Sequence, residues 1–229
     1  MRRETTSKVF AVGLDTATTD RVQTLFTSVH VEVLSFPSFP AVLDHIRPES
    51  RGCLLVNPDD GWGDVDDLVL GLCHRGIRMP VICLSEGGDV PAAVRALKAG
   101  ALDFLEVAVN DQVLIDAVNE AFEVDRATRH ARQRRALLRR RFDRLTPREW
   151  DVVDPMVRGW SNREIAGQLQ LSPKTVEVYR ARILAKSECG CLAELIRMAI
   201  RCDLLAETSA TGSFPKSDSR HAEGGMPSG

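Results

Sequence analysis

A chain of 229 residues that is 44% hydrophobic, 27% charged and 5% aromatic has the composition of a soluble globular protein of one large or two small domains. No apolar run approaches the ~18 residues needed to cross a bilayer, and the first ten residues lack the apolar stretch of a secretory leader. A cytoplasmic protein with no membrane partner is therefore expected. The net charge of −2 hides an asymmetry, since residues 1–124 carry 10 basic and 19 acidic side chains (net −9) and residues 125–206 carry 18 and 10 (net +8), so only the second stretch suits a polyanion.

The first half alternates two patterns. Short apolar runs at Val9–Val12, Val31–Leu34, Cys53–Val56, Val81–Leu84 and Leu102–Leu105 read as buried strands. Helical spacing lies between and after them, at Asp20–Thr27, Phe39–Ile46, Val65–Cys73, Val90–Ala99 and Gln112–Phe122. Strands alternating with helices predict βαβ units on a parallel sheet, and five units in this length fit an α/β doubly wound, flavodoxin-like domain over 8–124. Functional groups of that fold gather at the carboxyl ends of the strands, here 12–15, 56–60, 84–87 and 105–109. Asp64, Asp66 and Asp67 read as acids at a helix start.

Residues 125–143, DRATRHARQRRALLRRRFD, contain no Gly or Pro and are dense in arginine. They predict a helical linker whose basic face is either a solvated spacer or a phosphate-contacting segment. Residues 207–229 are rich in Ser, Gly and Pro and predict a disordered tail. The six cysteines form no C-x-x-C pair and no Cys/His zinc pattern, so reduced, mostly buried thiols are expected, with no metal and no cofactor.

Between them, residues 144–206 predict an all-α domain with well-marked helix starts. Thr146, Pro147 and Glu149 form a capping box, and a helix follows to about Arg158, with Pro155 expected to kink or shorten it. Ser161 and Glu164 form a second box before a short helix in which Ile165, Ala166 and Leu169 share a face. Ser172 caps a third helix, in which Val176, Tyr179 and Ile183 turn inward. Leu192–Ile200 supplies a fourth. Two short helices joined by a tight turn, the second with a polar and basic outer face, are the layout of a DNA-reading helix-turn-helix. A small helical bundle with good caps has the same local signals.

The succession L-T-P-R-E (145–149), G-x-S-N-x-E-I-A (159–166), L-S-x-x-T-V-E-V (171–178), R-x-x-A-K (182–186) and L-A-E-L-I-R (192–197) resembles the LuxR-type DNA-binding domain of FixJ/NarL-like response regulators. That resemblance implies base reading by Glu177, Val178 and Ala181. It implies backbone contacts by Lys174, Thr175, Tyr179, Arg180, Arg182 and Lys186. Tyr179 stands where the family usually has His, and Ser187 where it usually has Leu.

The first half, most clearly over 88–106, resembles the receiver of the same family. A working receiver needs two acids after the first strand, an aspartate after the third, Ser or Thr after the fourth and a lysine after the fifth. The acids hold Mg²⁺ through oxygen, the aspartate attacks a phosphoryl group, and the lysine neutralises the product. The matching positions here are Gly13 and Leu14, Asn57, Ser85 and Val107, and only Ser85 conforms. An amide is no carboxylate nucleophile, and Gly and Leu offer no side-chain oxygen to a hard cation. Asp15, Asp59 and Asp60 are nearby carboxylates, either a displaced site or solvated loop charges. Val90, Val94, Leu97 and Phe104 match the surface through which receivers of this kind dimerise, Phe104 being either a switch aromatic or a core one.

The expectation is a non-enzymatic transcription regulator working without aspartyl phosphorylation. Its expected partners are double-stranded DNA, a second copy of the chain and RNA polymerase. The alternatives are an interaction module that sequesters another regulator, and a ligand-controlled regulator inhibited by its receiver-like half.

Overall fold

The computed structural model describes residues 7–58, 65–87 and 90–204. Asp59, Asp60, Asp64 and the 207–229 tail lie outside them, as do Gly88 and Asp89. The chain divides into two compact units between Ala131 and Arg132.

In the first unit, five parallel strands are ordered β2-β1-β3-β4-β5: β1 (Lys8–Val12), β2 (Glu32–Phe36), β3 (Gly52–Val56), β4 (Val81–Ser85) and β5 (Asp103–Glu106). This is the flavodoxin-like order. β3 and β4 are buried throughout because helices cover both faces, which is why they read as unbroken apolar runs. Alternation splits their side chains. Phe10, Val12, Leu54, Val56, Val81 and Cys83 pack with Val42, Leu68, Leu72 and Ala96. These four come from α2 (Phe39–His45), α3 (Val65–His74) and α4 (Val90–Ala99). Val9, Cys53, Leu55, Ile82 and Leu84 pack with Val22 and Phe26 of α1 (Thr16–Ser28) and with Leu114, Val118 and Ala121 of α5 (Asp111–Phe142). Phe104 is half-buried against the first of these clusters.

The predicted final helix of the first unit and the predicted linker are one element, the 32-residue helix α5 (Asp111–Phe142). Both ends of the supposed linker are fixed by side chains. Asp125, 2% exposed, accepts hydrogen bonds from the Gly52 amide (3.2 Å) and Arg129 Nε (2.8 Å). Arg129 also donates to the carbonyls of Pro48 and Ser50. Gly52 is irreplaceable locally: its φ is +135°, and a Cβ there would stand 1.8 Å from the Lys8 carbonyl oxygen. Phe142, at the other end, is 1% exposed in the core of the second unit, and Leu138 packs against that core. The sequence-based borders at 124/125 and 143/144 therefore mark composition rather than structure. An arginine-rich stretch looked like a spacer because its few anchoring residues are sparse.

The second unit adds α6 (Pro147–Val157), α7 (Asn162–Leu169), α8 (Pro173–Lys186) and α9 (Leu192–Arg201). Capping boxes at Thr146/Glu149 and Ser161/Glu164 and the Ser172 cap are all formed. Val152, Met156, Ile165, Val176, Ile183 and Leu195 make its centre. Pro155 does not end α6, which continues to Val157. It sits in the last turn, so its missing N–H removes one hydrogen bond only, and its buried ring joins the packing. The Ser187 hydroxyl, fully buried, donates to the Ile183 carbonyl at 2.7 Å and closes α8. Three of the six cysteines, Cys53, Cys83 and Cys202, are buried, while Cys73 and Cys191 are exposed and Cys189 is half-buried. The expectation of mostly buried thiols thus holds for half of them.

Candidate nucleic-acid interface and carboxyl-end pocket

α7 and α8 are joined by a turn that pivots on Gln170, in the left-handed region at φ 55°. α8 buries Val176 and Ile183 and half-buries Tyr179, and the opposite face is open. On that face Lys174, Glu177, Val178, Ala181 and Arg182 are exposed, with Thr175 and Arg180 half-buried beside them. Its two exposed cations, Lys174 and Arg182, flank the Glu177 carboxylate and the apolar Val178 and Ala181, a mixture that suits phosphate contacts beside base edges. Lys174 Nζ pairs with Glu177 at 2.8 Å, so a phosphate-contacting candidate and a base-reading candidate are coupled before DNA arrives. Arg180 carries a buried Nη1 with no hydrogen-bond partner, a group that gains by turning toward an acceptor.

Lys186 is placed differently from its neighbours. Its Nζ lies 2.7 Å from Glu149 Oε2, an oxygen that also accepts from the Thr146 amide (2.8 Å) and hydroxyl (3.0 Å). Glu149 is 2% exposed. Burial pushes its carboxyl up, and the Lys186 and Thr146 hydrogen bonds outweigh this, holding it below the usual glutamate value. Lys186 therefore ties α8 to the start of α6.

At the carboxyl end of the sheet, Gly13, Leu14, Asn57, Ser85 and Val107 converge as the topology demands. Gly13 (φ 66°) and Ser85 are buried, and Leu14, Asn57 and Val107 are half-buried. The Asn57 amide donates to the Val12 carbonyl at 3.1 Å and the Val107 amide to the Ser85 carbonyl at 2.8 Å. Asp15 serves as the cap of α1. Its carboxylate accepts from the Thr18 amide (3.0 Å) and hydroxyl (2.7 Å), and these bonds hold its carboxyl below the usual aspartate range. Among the described residues, no three His, Cys, Asp or Glu side chains converge as metal ligands.

Arg21 was not singled out in the sequence. From α1 its guanidinium donates to the carbonyls of Val107 and Val109 and to the Asp111 carboxylate at 2.6 Å. The loop that follows β5 is thus fastened to α1 by a side chain 86–90 residues away in sequence, a distance no local pattern reveals.

Residues 143–199 match the family described as "Bacterial regulatory proteins, luxR family". The similarity extends over both units. Nodulation protein W of Bradyrhizobium diazoefficiens is 36% identical over 191 residues, covering 83% of this chain and 84% of its own. The chain belongs to the FixJ/NodW-like response regulators. The transcriptional regulatory protein FixJ of Azorhizobium caulinodans is 35% identical over 205 residues, 89% of this chain and 96% of its own. Among solved structures, the response regulator StyR matches with a TM-score of 0.68 at 32% identity, covering 86% of this chain and 99% of StyR. Full-length FixJ from B. japonicum matches at 0.52 and 30% identity, over 87% and 98%. Within this response-regulator family, the parallel-sheet unit is the receiver fold and the helical unit is the LuxR-type helix-turn-helix.

Proposed function

We propose that this response regulator binds DNA through α8 and controls transcription without phosphorylation of its receiver unit. The observation that carries the second half is the set of side chains at the carboxyl end of the sheet. Asn57 occupies the acceptor position, with Gly13, Leu14 and Val107 where metal-binding acids and a lysine are required. Asp15, the nearest acid in sequence, is committed to capping α1. The Arg21 clamp gives the β5–α5 loop a fixed partner within the chain, so its position does not await a phosphoryl group.

The DNA half rests on the open face of α8, with Lys174 and Arg182 exposed on it, and on membership of a family whose members include proteins named as transcriptional regulators. The apolar face of α4 supports a homodimer: Val90, Val94 and Leu97 are 77%, 42% and 47% exposed. Such a patch favours association, and a two-fold dimer matches paired half-sites.

Incubation with acetyl phosphate and Mg²⁺ followed by intact-protein mass spectrometry tests the first claim. No acid-labile phosphate is expected on the natural chain or on Asn57→Asp, since Gly13, Leu14 and Val107 remain. Stoichiometric phosphate on the natural chain overturns it. For DNA, selection from a random duplex pool with unmodified protein is expected to return a two-fold symmetric site, bound by a dimer in light scattering. A monomeric chain that binds far more weakly than a fragment beginning at Arg132 instead makes the receiver unit an inhibitor. The fragment begins there because one starting at Arg144 would discard Phe142 from the core.

A further inference from the structure

We propose that the second unit holds a separate site for a small, multiply charged oxyanion, gripped by Arg141, Arg197 and Arg201. The three side chains line a cavity of about 280 Å³ formed by the end of α5, the α8–α9 turn and α9, with Leu138 and Met198 in its wall. Arg197 and Arg201 stand four residues apart on α9 and therefore project from one face. Both are exposed, and among the described residues neither makes a hydrogen bond or ion pair.

The two acids at the cavity are already engaged. Glu188 pairs with Arg144 at 2.6 Å and Arg141 at 3.2 Å. The Arg144 hydrogen bond and the Arg141 charge hold its carboxyl below the usual glutamate range. Glu194 accepts from the Gly190 amide at 2.6 Å. Neither neutralises the α9 pair. What is left is two guanidinium forks facing a cavity, with a third beside them whose only carboxylate partner among the described residues is shared with Arg144. Guanidinium forks match phosphate and carboxylate oxygens in bidentate fashion. The cavity lies just below the ~300–1,000 Å³ of typical ligand sites, so the occupant has few heavy atoms.

DNA phosphates are a poorer fit. The cavity adjoins residues 188–189, beyond the C-terminal end of α8. The 14 residues of α8 place that end about 20 Å from the N-terminal turn that carries Lys174.

The test uses the full chain, with inorganic pyrophosphate and citrate titrated at constant ionic strength and binding read by calorimetry. One saturable site with an affinity of about 1 mM or better is expected. Binding of pyrophosphate alone marks a phosphoryl ligand, and binding of citrate alone a polycarboxylate; either result supports the site. R197A/R201A is expected to weaken binding at least tenfold while K174A/R182A leaves it unchanged. Arg201→Gln alone, at an exposed position, gives a partial loss and guards against a folding defect in the double variant. The proposal is overturned by an absence of saturable binding of both anions, or by natural affinity in R197A/R201A. A lower salt slope of DNA binding in that variant also overturns it, because these arginines then serve DNA phosphates.

Discussion

Replacing Lys186 by methionine separates two roles that the family resemblance and the structure assign to the same residue. The substitution keeps most of the aliphatic stem and removes the ammonium 2.7 Å from Glu149. Removing one partner of a buried ion pair costs ~3–5 kcal/mol. Two features reduce that figure. The Lys186 side chain is 37% exposed, so water reaches the vacated place, and Thr146 still donates twice to the same carboxylate. A loss of about 2–3 kcal/mol follows, or roughly 10–20 °C in the melting of a unit this size. Trp150 and Trp160 both lie in the second unit, so fluorescence in a Trp62→Phe background isolates its transition. The pH dependence carries the same sign. Glu149 has a folded pKa below its unfolded one, so its contribution is full above the unfolded value and is lost as pH falls through the folded value. Without Lys186 the folded value moves back toward the unfolded one, so less stability is lost on acidification and the loss is complete at a higher pH. Adding Glu149→Gln to Lys186→Met should recover part of the loss, since a neutral amide no longer needs a counter-ion. If Lys186→Met melts like the natural chain while its DNA salt slope drops by about one unit, Lys186 belongs to the DNA backbone and the reasoning fails.

Gly52→Ala places a methyl carbon against the Lys8 carbonyl, so β1 and β3 must separate, and loss of the soluble folded receiver unit is expected by circular dichroism. Arg129→Ala strands the buried Asp125 carboxylate and should destabilise that unit by about 2–4 kcal/mol in urea unfolding; an unchanged midpoint would remove the network's assigned weight. Gln170→Gly relieves a left-handed backbone at an exposed position and should stabilise the second unit by roughly 0.5–1 kcal/mol. K174A/R182A should weaken binding to all duplexes and lower the salt slope by about two units, and natural affinity in that variant would move the DNA face elsewhere.

Much of this protein is legible in its sequence because the signals are local. Unbroken apolar runs such as Cys53–Val56 announce strands covered on both faces, and Thr146/Glu149, Ser161/Glu164 and Ser172 announce helix starts through contacts three residues apart. Asn57, Gly13, Leu14 and Val107 could be placed at one end of the sheet because a parallel βαβ order brings the carboxyl ends together. What the sequence could not decide are pairings between distant residues. Arg21 reaches a loop near residue 109, Lys186 reaches Glu149, and Asp125 reaches Gly52; each partner is set by how the helices dock. Composition misled over 125–143, where arginine density suggested a spacer and a few side chains made the ends structural. The sequence determined the elements and the residue types that stand at the carboxyl end of the sheet; the tertiary structure decided which charged groups are held in place by distant partners. A helix start is governed by its neighbours three residues away, whereas the partner of a buried charge is governed by the whole packed core.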